Sequence, residues 1–141
     1  MSSVPAPPAG SVSKVECVAS VRGKGEAKVA LFRHLAPLTL NAILRSLPID
    51  SRVSLQPATA CLFADLGVGV EKPRLQFTRG EVAFLPSAGL ICFFLSDAKS
   101  DRPLNPIGKV EDGLSLFDNL RPGDVVRLSV APAAEPSAPQ A

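Results

Sequence analysis

What most constrains this chain is how often it is interrupted. Between Lys14 and Ala131 the apolar residues come in short segments separated by Gly- and Pro-containing stretches, a pattern that favours short strands joined by turns over long helices. The first segment shows the period. Val15, Cys17, Ala19 and Val21 alternate with Lys14, Glu16, Val18 and Ser20, which places two sets of side chains on opposite faces of a strand. Arg22-Gly23-Lys24-Gly25 then supplies glycines for positive φ, and Glu26 to Phe32 returns as the partner strand of a hairpin.

The period changes once. Leu40, Ile43, Leu44 and Leu47 fall at i, i+3, i+4 and i+7, predicting a helix over Leu35 to Leu47 with Arg45 on its outer side. Pro37 suits the first turn, where its missing N–H costs nothing, and Pro48 ends the element. Strands are expected at Ser51 to Gln56 and Ala60 to Asp65, around the turn Gln56-Pro57-Ala58-Thr59. Gly67 to Arg79, with Gly69 and Pro73, is expected to cross the surface irregularly.

A second pair of strands, Glu81 to Leu85 and Leu90 to Ser96, is expected around Pro86-Ser87-Ala88-Gly89. Leu90 to Ser96 is apolar at odd and even positions alike, the mark of a central strand covered on both faces. Ala98 to Pro106 reads as a polar loop and Pro106 to Glu111 as a short strand. A short helix is expected over Gly113 to Leu120, stopped by Arg121-Pro122-Gly123, before a last strand at Asp124 to Ala131. About eight strands and two short helices make a mainly β domain, and closure into an eight-stranded barrel would remove the unpaired edges.

At 141 residues the chain suits one domain. Residues 1–13 and 132–141 are rich in Pro, Ala and Ser. They hold too few large apolar groups to pack and are expected as disordered tails flanking a domain at 14–131. The net charge of +2 is spread along the chain, so it neither predicts nor excludes nucleic acid. Cys17, Cys61 and Cys92 are odd in number and each lies among apolar neighbours. They read as buried thiols in a reducing, cytoplasmic compartment. The longest strongly apolar stretch, Gly89 to Leu95, is far below the ~20 residues that span a bilayer, so no membrane partner is expected.

The order of elements is similar to that of cyclophilins, and several residues carry the resemblance. Pro37-Leu38-Thr39-Leu40-Asn41 with Leu44 and Leu47 resembles the first cyclophilin helix, and Cys92-Phe93-Phe94-Leu95 resembles the central strand. Gly108-Lys109-Val110-Glu111-Asp112-Gly113 is similar to the entry into the second helix. The chain looks closer still to the short, uncharacterised cyclophilin-like proteins of archaea and thermophilic bacteria. Gly80-Glu81-Val82-Ala83-Phe84-Leu85-Pro86, Ile91 to Phe94 and Gly123-Asp124 carry that likeness.

The resemblance implies a groove for a proline-containing peptide, with an arginine that polarises the imide. Most of that constellation does not carry over. Ser54 stands at the arginine position, Val53 at the preceding histidine, Thr59 and Leu62 at two pocket positions, and Leu104 or Asn105 at the pocket histidine. The pocket tryptophan has no counterpart, since the chain has none. Phe94 matches. Arg52, two residues before Ser54 and on the same strand face, is the candidate to replace the missing arginine.

Other chemistries have little support. His34 is the only histidine, so no multi-histidine metal site exists and any His-dependent triad must use it. Gly67-Val68-Gly69-Val70 lacks the lysine and following helix of a phosphate loop. Asp97, Asp101 and Asp112 define no acid–base pair. Neither a cofactor nor a metal is expected. Three functions follow, in order. The first is a non-catalytic binding module whose groove at Phe94, Ser54, Thr59, Leu62, Leu104 and Asn105 takes an extended peptide or small ligand. The second is a weak peptidyl-prolyl isomerase using Arg52. The third is a subunit of a nucleoprotein or other complex that contacts an anionic partner through Lys72, Arg74 and Arg79.

Overall fold

Alternation becomes structure first at the N-terminal hairpin. Strands β1 (Lys14–Val21) and β2 (Gly25–Phe32) pair from Lys14 opposite Phe32 to Val21 opposite Gly25. That register turns Cys17, Ala19 and Val21 to the same side as Ala27, Val29 and Leu31, and all six are buried. The structure, a computed structural model, describes residues 14–131; the expected Pro/Ala tails lie outside the described residues.

Helix α1 (Pro37–Ser46) follows, with Thr39, Leu40, Ala42 and Ile43 buried and Arg45 exposed. The strand expected at Ser51 to Gln56 begins earlier and divides into β3 (Ile49–Arg52) and β4 (Ser54–Leu55). Val53 separates them because its backbone turns to another partner. Its N–H donates to the Asp124 carbonyl at 2.7 Å, and its carbonyl accepts from the Gly123 N–H at 3.2 Å. The chain continues through β5 (Thr59–Phe63), β6 (Arg74–Phe77), β7 (Glu81–Leu85) and β8 (Leu90–Phe94). It ends with β9 (Ala98–Asp112), α2 (Leu114–Asp118) and β10 (Val125–Val130).

Among the described residues the protein is thus mainly β with two helices, but the strands number ten, not eight. The ladders run in the order β3-β10-β1-β2-β9-β7-β8-β5-β4, with β6 paired to β9. This path is open, with β3 and β4 at its two ends.

One extra strand comes from the division into β3 and β4 and the other is β6, while both stretches expected to be loops contain strand. Gly67 to Arg79 contains β6, and Ala98 to Pro106 is the first half of the long β9. Its prolines are accommodated because they fall at irregularities of register. Pro103 lies where the β6 pairing shifts, and Pro106 stands beside the bulge in the β7 pairing. Neither position demands a regular ladder donor. The second half of β9 runs between β2 and β7, where Gly108 is opposite both Leu31 and Val82.

Strand β8 has the two-faced cover its composition predicts. Ile91 and Phe93 join the main core with Leu31, Leu40, Ile43 and Phe117, and the Phe93 and Phe117 rings stack with centroids 4.7 Å apart. Cys92 and Phe94, one residue out of phase, enter a second cluster with Cys61, Phe77, Ala83, Leu85 and Leu104. The antiparallel pair of β6 with the first half of β9 covers this second face, bringing Phe77 and Leu104 to it. Among the described residues no helix is long and apolar enough to cross a membrane.

Candidate functional site

The second cluster is incompletely covered, and an open cleft of about 460 Å³ remains beside it. Phe94, Thr59 and Leu104, expected at a ligand groove, come together in its lining. They reach it from β8, β5 and β9. The Phe94 ring is held by stacking on Phe77, centroids 4.6 Å apart and planes 16° from parallel. Leu85 and Leu90 extend the apolar wall, while Lys99, Asp101 and Arg102 of β9 make a charged side. The Arg102 Nη1 donates to Ser87 Oγ at 3.3 Å, linking β9 to the β7–β8 turn.

Cys61 and Cys92 also line this cleft. They are directly opposite one another on β5 and β8, with Sγ atoms 3.2 Å apart, and the Thr59 Oγ1 lies 3.3 Å from Cys61 Sγ. When Cys61 ionises, the Cys92 S–H donates to it. This bond, helped by the Thr59 hydroxyl, outweighs burial and lowers the Cys61 thiol below its ordinary range. Cys92, the donor to that sulfur and buried beside it, is pushed up. Cys17 sits apart in the main core, where burial alone pushes it up to about 11.

Four other predicted site residues are elsewhere. Leu62 points the opposite way from Cys61 and is 1% exposed in the main core, because a strand alternates its faces. Ser54 is opposite Cys61 on the edge strand β4 and does not line the cleft, its Oγ accepting from Gln56 Nε2 at 3.2 Å. Arg52 is exposed opposite Val125 of β10 and does not line the cleft. Asn105 is fully buried on the far side of Leu104, where its Nδ2 donates to Thr39 Oγ1 and to the Gly69 carbonyl.

The expected basic patch does not form a free cationic surface. Arg74 lies over the Phe77 ring and pairs with Glu81 at 2.6 Å. Burial pushes the Glu81 carboxyl up, but Arg74 and the Thr78 N–H outweigh it and hold it below the usual range. Arg79 makes two bonds to the Asp118 carboxylate, at 2.9 and 2.7 Å, which hold that carboxyl down in turn. Lys72 is exposed. His34 is exposed with its ring 5.8 Å from that of Phe32. Among the described residues no three His, Cys, Asp or Glu side chains gather as a metal site.

The fold that carries this cleft has a counterpart among solved structures. The fold is shared with an archaeal protein. The chain is similar to the solution structure of the hypothetical protein AF2241 from Archaeoglobus fulgidus, with a TM-score of 0.71 and 20% sequence identity. The match covers 84% of this chain and 96% of that one. At this identity the likeness is one of fold alone. No family model and no curated protein matches the chain.

Sequence reasoning missed Arg102, Lys99 and the pairing of the two thiols. The two charged residues lay in a stretch read as a loop, with no period to orient them. Cys61 and Cys92 are 31 residues apart, and only the β5–β8 register makes them neighbours. One signal was available: Cys92 and Phe94 are two apart in a strand, so a site at Phe94 implies Cys92 on the same face.

Proposed function

We propose that the protein is a cyclophilin-like binding module whose cleft takes a short extended peptide or small ligand, an apolar group resting against Phe94 and Leu104. The observation that carries this reading is the convergence of Phe94, Thr59 and Leu104, from three separate strands, on one cleft of about 460 Å³. That volume falls in the ordinary range of small-ligand sites, ~300–1,000 Å³, as does the combination of an apolar wall with a few polar groups. The cyclophilin-like barrel has support in the ladder path, whose end strands β3 and β4 are consecutive in the chain.

Titration of isotope-labelled protein with short proline-containing peptides tests the reading. The expected result is saturable shift changes at Phe94, Leu104 and Thr59, abolished by Phe94→Ala in a variant whose other resonances are retained. Shift changes confined to residues away from the cleft would sink it.

Prolyl isomerisation is the second reading, supported by a guanidinium in the same cleft as Phe94. That guanidinium belongs to Arg102, so Arg102→Ala would reduce any isomerase activity several-fold and Arg52→Ala would leave it unchanged. The reverse pattern would restore Arg52 as the candidate.

A further inference from the structure

The two cleft thiols suggest a chemistry that does not depend on the ligand reading. Their positions are set by the ladder. On the β5–β8 register the Ala64 N–H donates to the Gly89 carbonyl and the Leu95 N–H to the Ala58 carbonyl, both at 2.8 Å. Hydrogen-bonded positions alternate along an antiparallel pair, so Cys61 and Cys92 meet at a non-hydrogen-bonded one. Such positions bring Cα atoms to ~4.5 Å, at the short end of the ~4.4–6.8 Å that a disulfide spans. The sulfurs, already 3.2 Å apart, can therefore bond without the strands separating. Short-end geometry also leaves such a bond easier to reduce than a relaxed structural disulfide.

We propose that Cys61 and Cys92 form a reversible cross-strand disulfide, and that the cleft is a thiol–disulfide exchange site for small disulfides. Cys61 is the attacking sulfur and Cys92 the resolving one. The Cys61 thiolate attacks one sulfur of the small disulfide; a new S–S bond forms, the old one breaks, and the first thiolate leaves with the electron pair. That thiolate takes the proton of Cys92, whose sulfur then attacks Cys61 Sγ. The bond from Cys61 to the remaining fragment breaks, and the second thiolate leaves and is protonated by solvent with the proton Cys61 had lost. Two protein thiols are oxidised to one disulfide while one small disulfide is reduced to two thiols. Access decides the substrate class. The two cysteines are only 1% and 4% exposed, so a small disulfide entering the cleft reaches them and a folded protein's disulfide does not. Cys17, 1% exposed in the main core, is the internal control.

The test treats the reduced full-length chain with glutathione disulfide at neutral pH, followed by intact mass and peptide mapping. The expected product has lost two hydrogens, carries no adduct, joins the Cys61 and Cys92 peptides, leaves Cys17 free and returns to the starting mass with dithiothreitol. In Cys92→Ser the glutathionyl group stays on Cys61. If that variant does not fold, the wild-type mass and map decide alone. A glutathionyl group that persists on wild-type Cys61 would overturn the proposal. So would oxidation at Cys17 in preference, or a folded chain that stays reduced while the urea-unfolded chain reacts. Because the readout is a mass change with no peptide present, its outcome is independent of the peptide titration.

Discussion

Asn105 of β9 and Thr39 of α1 are joined side chain to side chain, Nδ2 to Oγ1 at 3.0 Å, and neither residue has exposed surface. The pair is the centre of a polar network that ties the loop before β6 to the sheet. The other Asn105 Nδ2 hydrogen goes to the Gly69 carbonyl at 2.9 Å, and its Oδ1 accepts from the Glu71 N–H at 2.6 Å. The Glu71 carboxylate in turn accepts from the Leu38 and Thr39 N–H groups, each at 2.9 Å, and from the Thr39 hydroxyl at 3.0 Å. Helix α1 has Ala36 at its N-cap with no side chain to accept from the first turn. Glu71, 32 residues downstream of Thr39, takes that role.

Removing the amide takes a partner from the buried Thr39 hydroxyl, which keeps its bond to Glu71, and from the Gly69 carbonyl and Glu71 N–H, which lie nearer the surface. Asn105→Ala should destabilise the protein by about 2 kcal/mol, because a buried group left without a partner costs ~1–3 kcal/mol and partners near the surface can turn to water. Urea unfolding would show this as a lower midpoint at unchanged slope. A change of less than about 0.5 kcal/mol, the usual size of surface substitutions, would show that the network is not a stabilising element.

Acid should weaken the same network. Burial pushes the Glu71 carboxyl up, but the hydrogen bonds from Leu38 and Thr39, with Lys72 nearby, outweigh it and hold the group below its ordinary 4.5. A depressed folded pKa contributes stability that is fully present above the unfolded value and is lost as pH falls through the folded one. Stability should therefore hold from neutral pH down to about 4.5 and decline below it. Asp118, held down by Arg79, adds to the decline in the same direction. In Glu71→Gln the gap from wild type should be widest at neutral pH and close as the pH drops, followed by thermal melts across that range. A gap that stays constant with pH would remove Glu71 from the explanation.

Gly108 is required by space, not by backbone angle. A Cβ there would collide with the carbonyl oxygen of Ala30 and lie 2.9 Å from its carbon, because β9 is flanked by β2 and β7. Gly108→Ala must push β2 away and should cost about 3 kcal/mol, the upper part of the range for overpacked sites. Gly69 has nothing within 4 Å of the same hypothetical atom and no positive φ, so Gly69→Ala should fall within about 0.5 kcal/mol of wild type. Equal denaturant midpoints for the two variants would refute the distinction.

The candidate site was half legible before the structure. Phe94 was placed at a groove by its match to a family pattern, Thr59 and Leu104 by standing at pocket positions whose residue types they do not share, and all three line one cleft. Leu62 was misplaced because aligning a pocket position does not guarantee strand phase; one residue out of step reverses the face. Asn105 was misplaced for the same reason, next to Leu104 but turned to the helix side. Arg102 carried no periodic signal and was left in a loop.

What the sequence alone determined is local. Alternation specified the β1–β2 hairpin, the i, i+3, i+4, i+7 stripe specified α1, and the unbroken apolar run at Leu90 to Phe94 specified a strand covered on both faces. These follow from forces acting within a few residues. What only the tertiary structure decided is which distant segments meet. A polar, proline-containing stretch becomes β9 because its prolines fall at breaks of register and β2, β6 and β7 supply its partners. Cys61 meets Cys92, and Glu71 meets the start of α1, because the ladders and the loop across them place each pair together. Hydrogen-bond pairing between strands is not encoded by spacing along the chain. The register that minimises unsatisfied backbone groups over the whole sheet sets it.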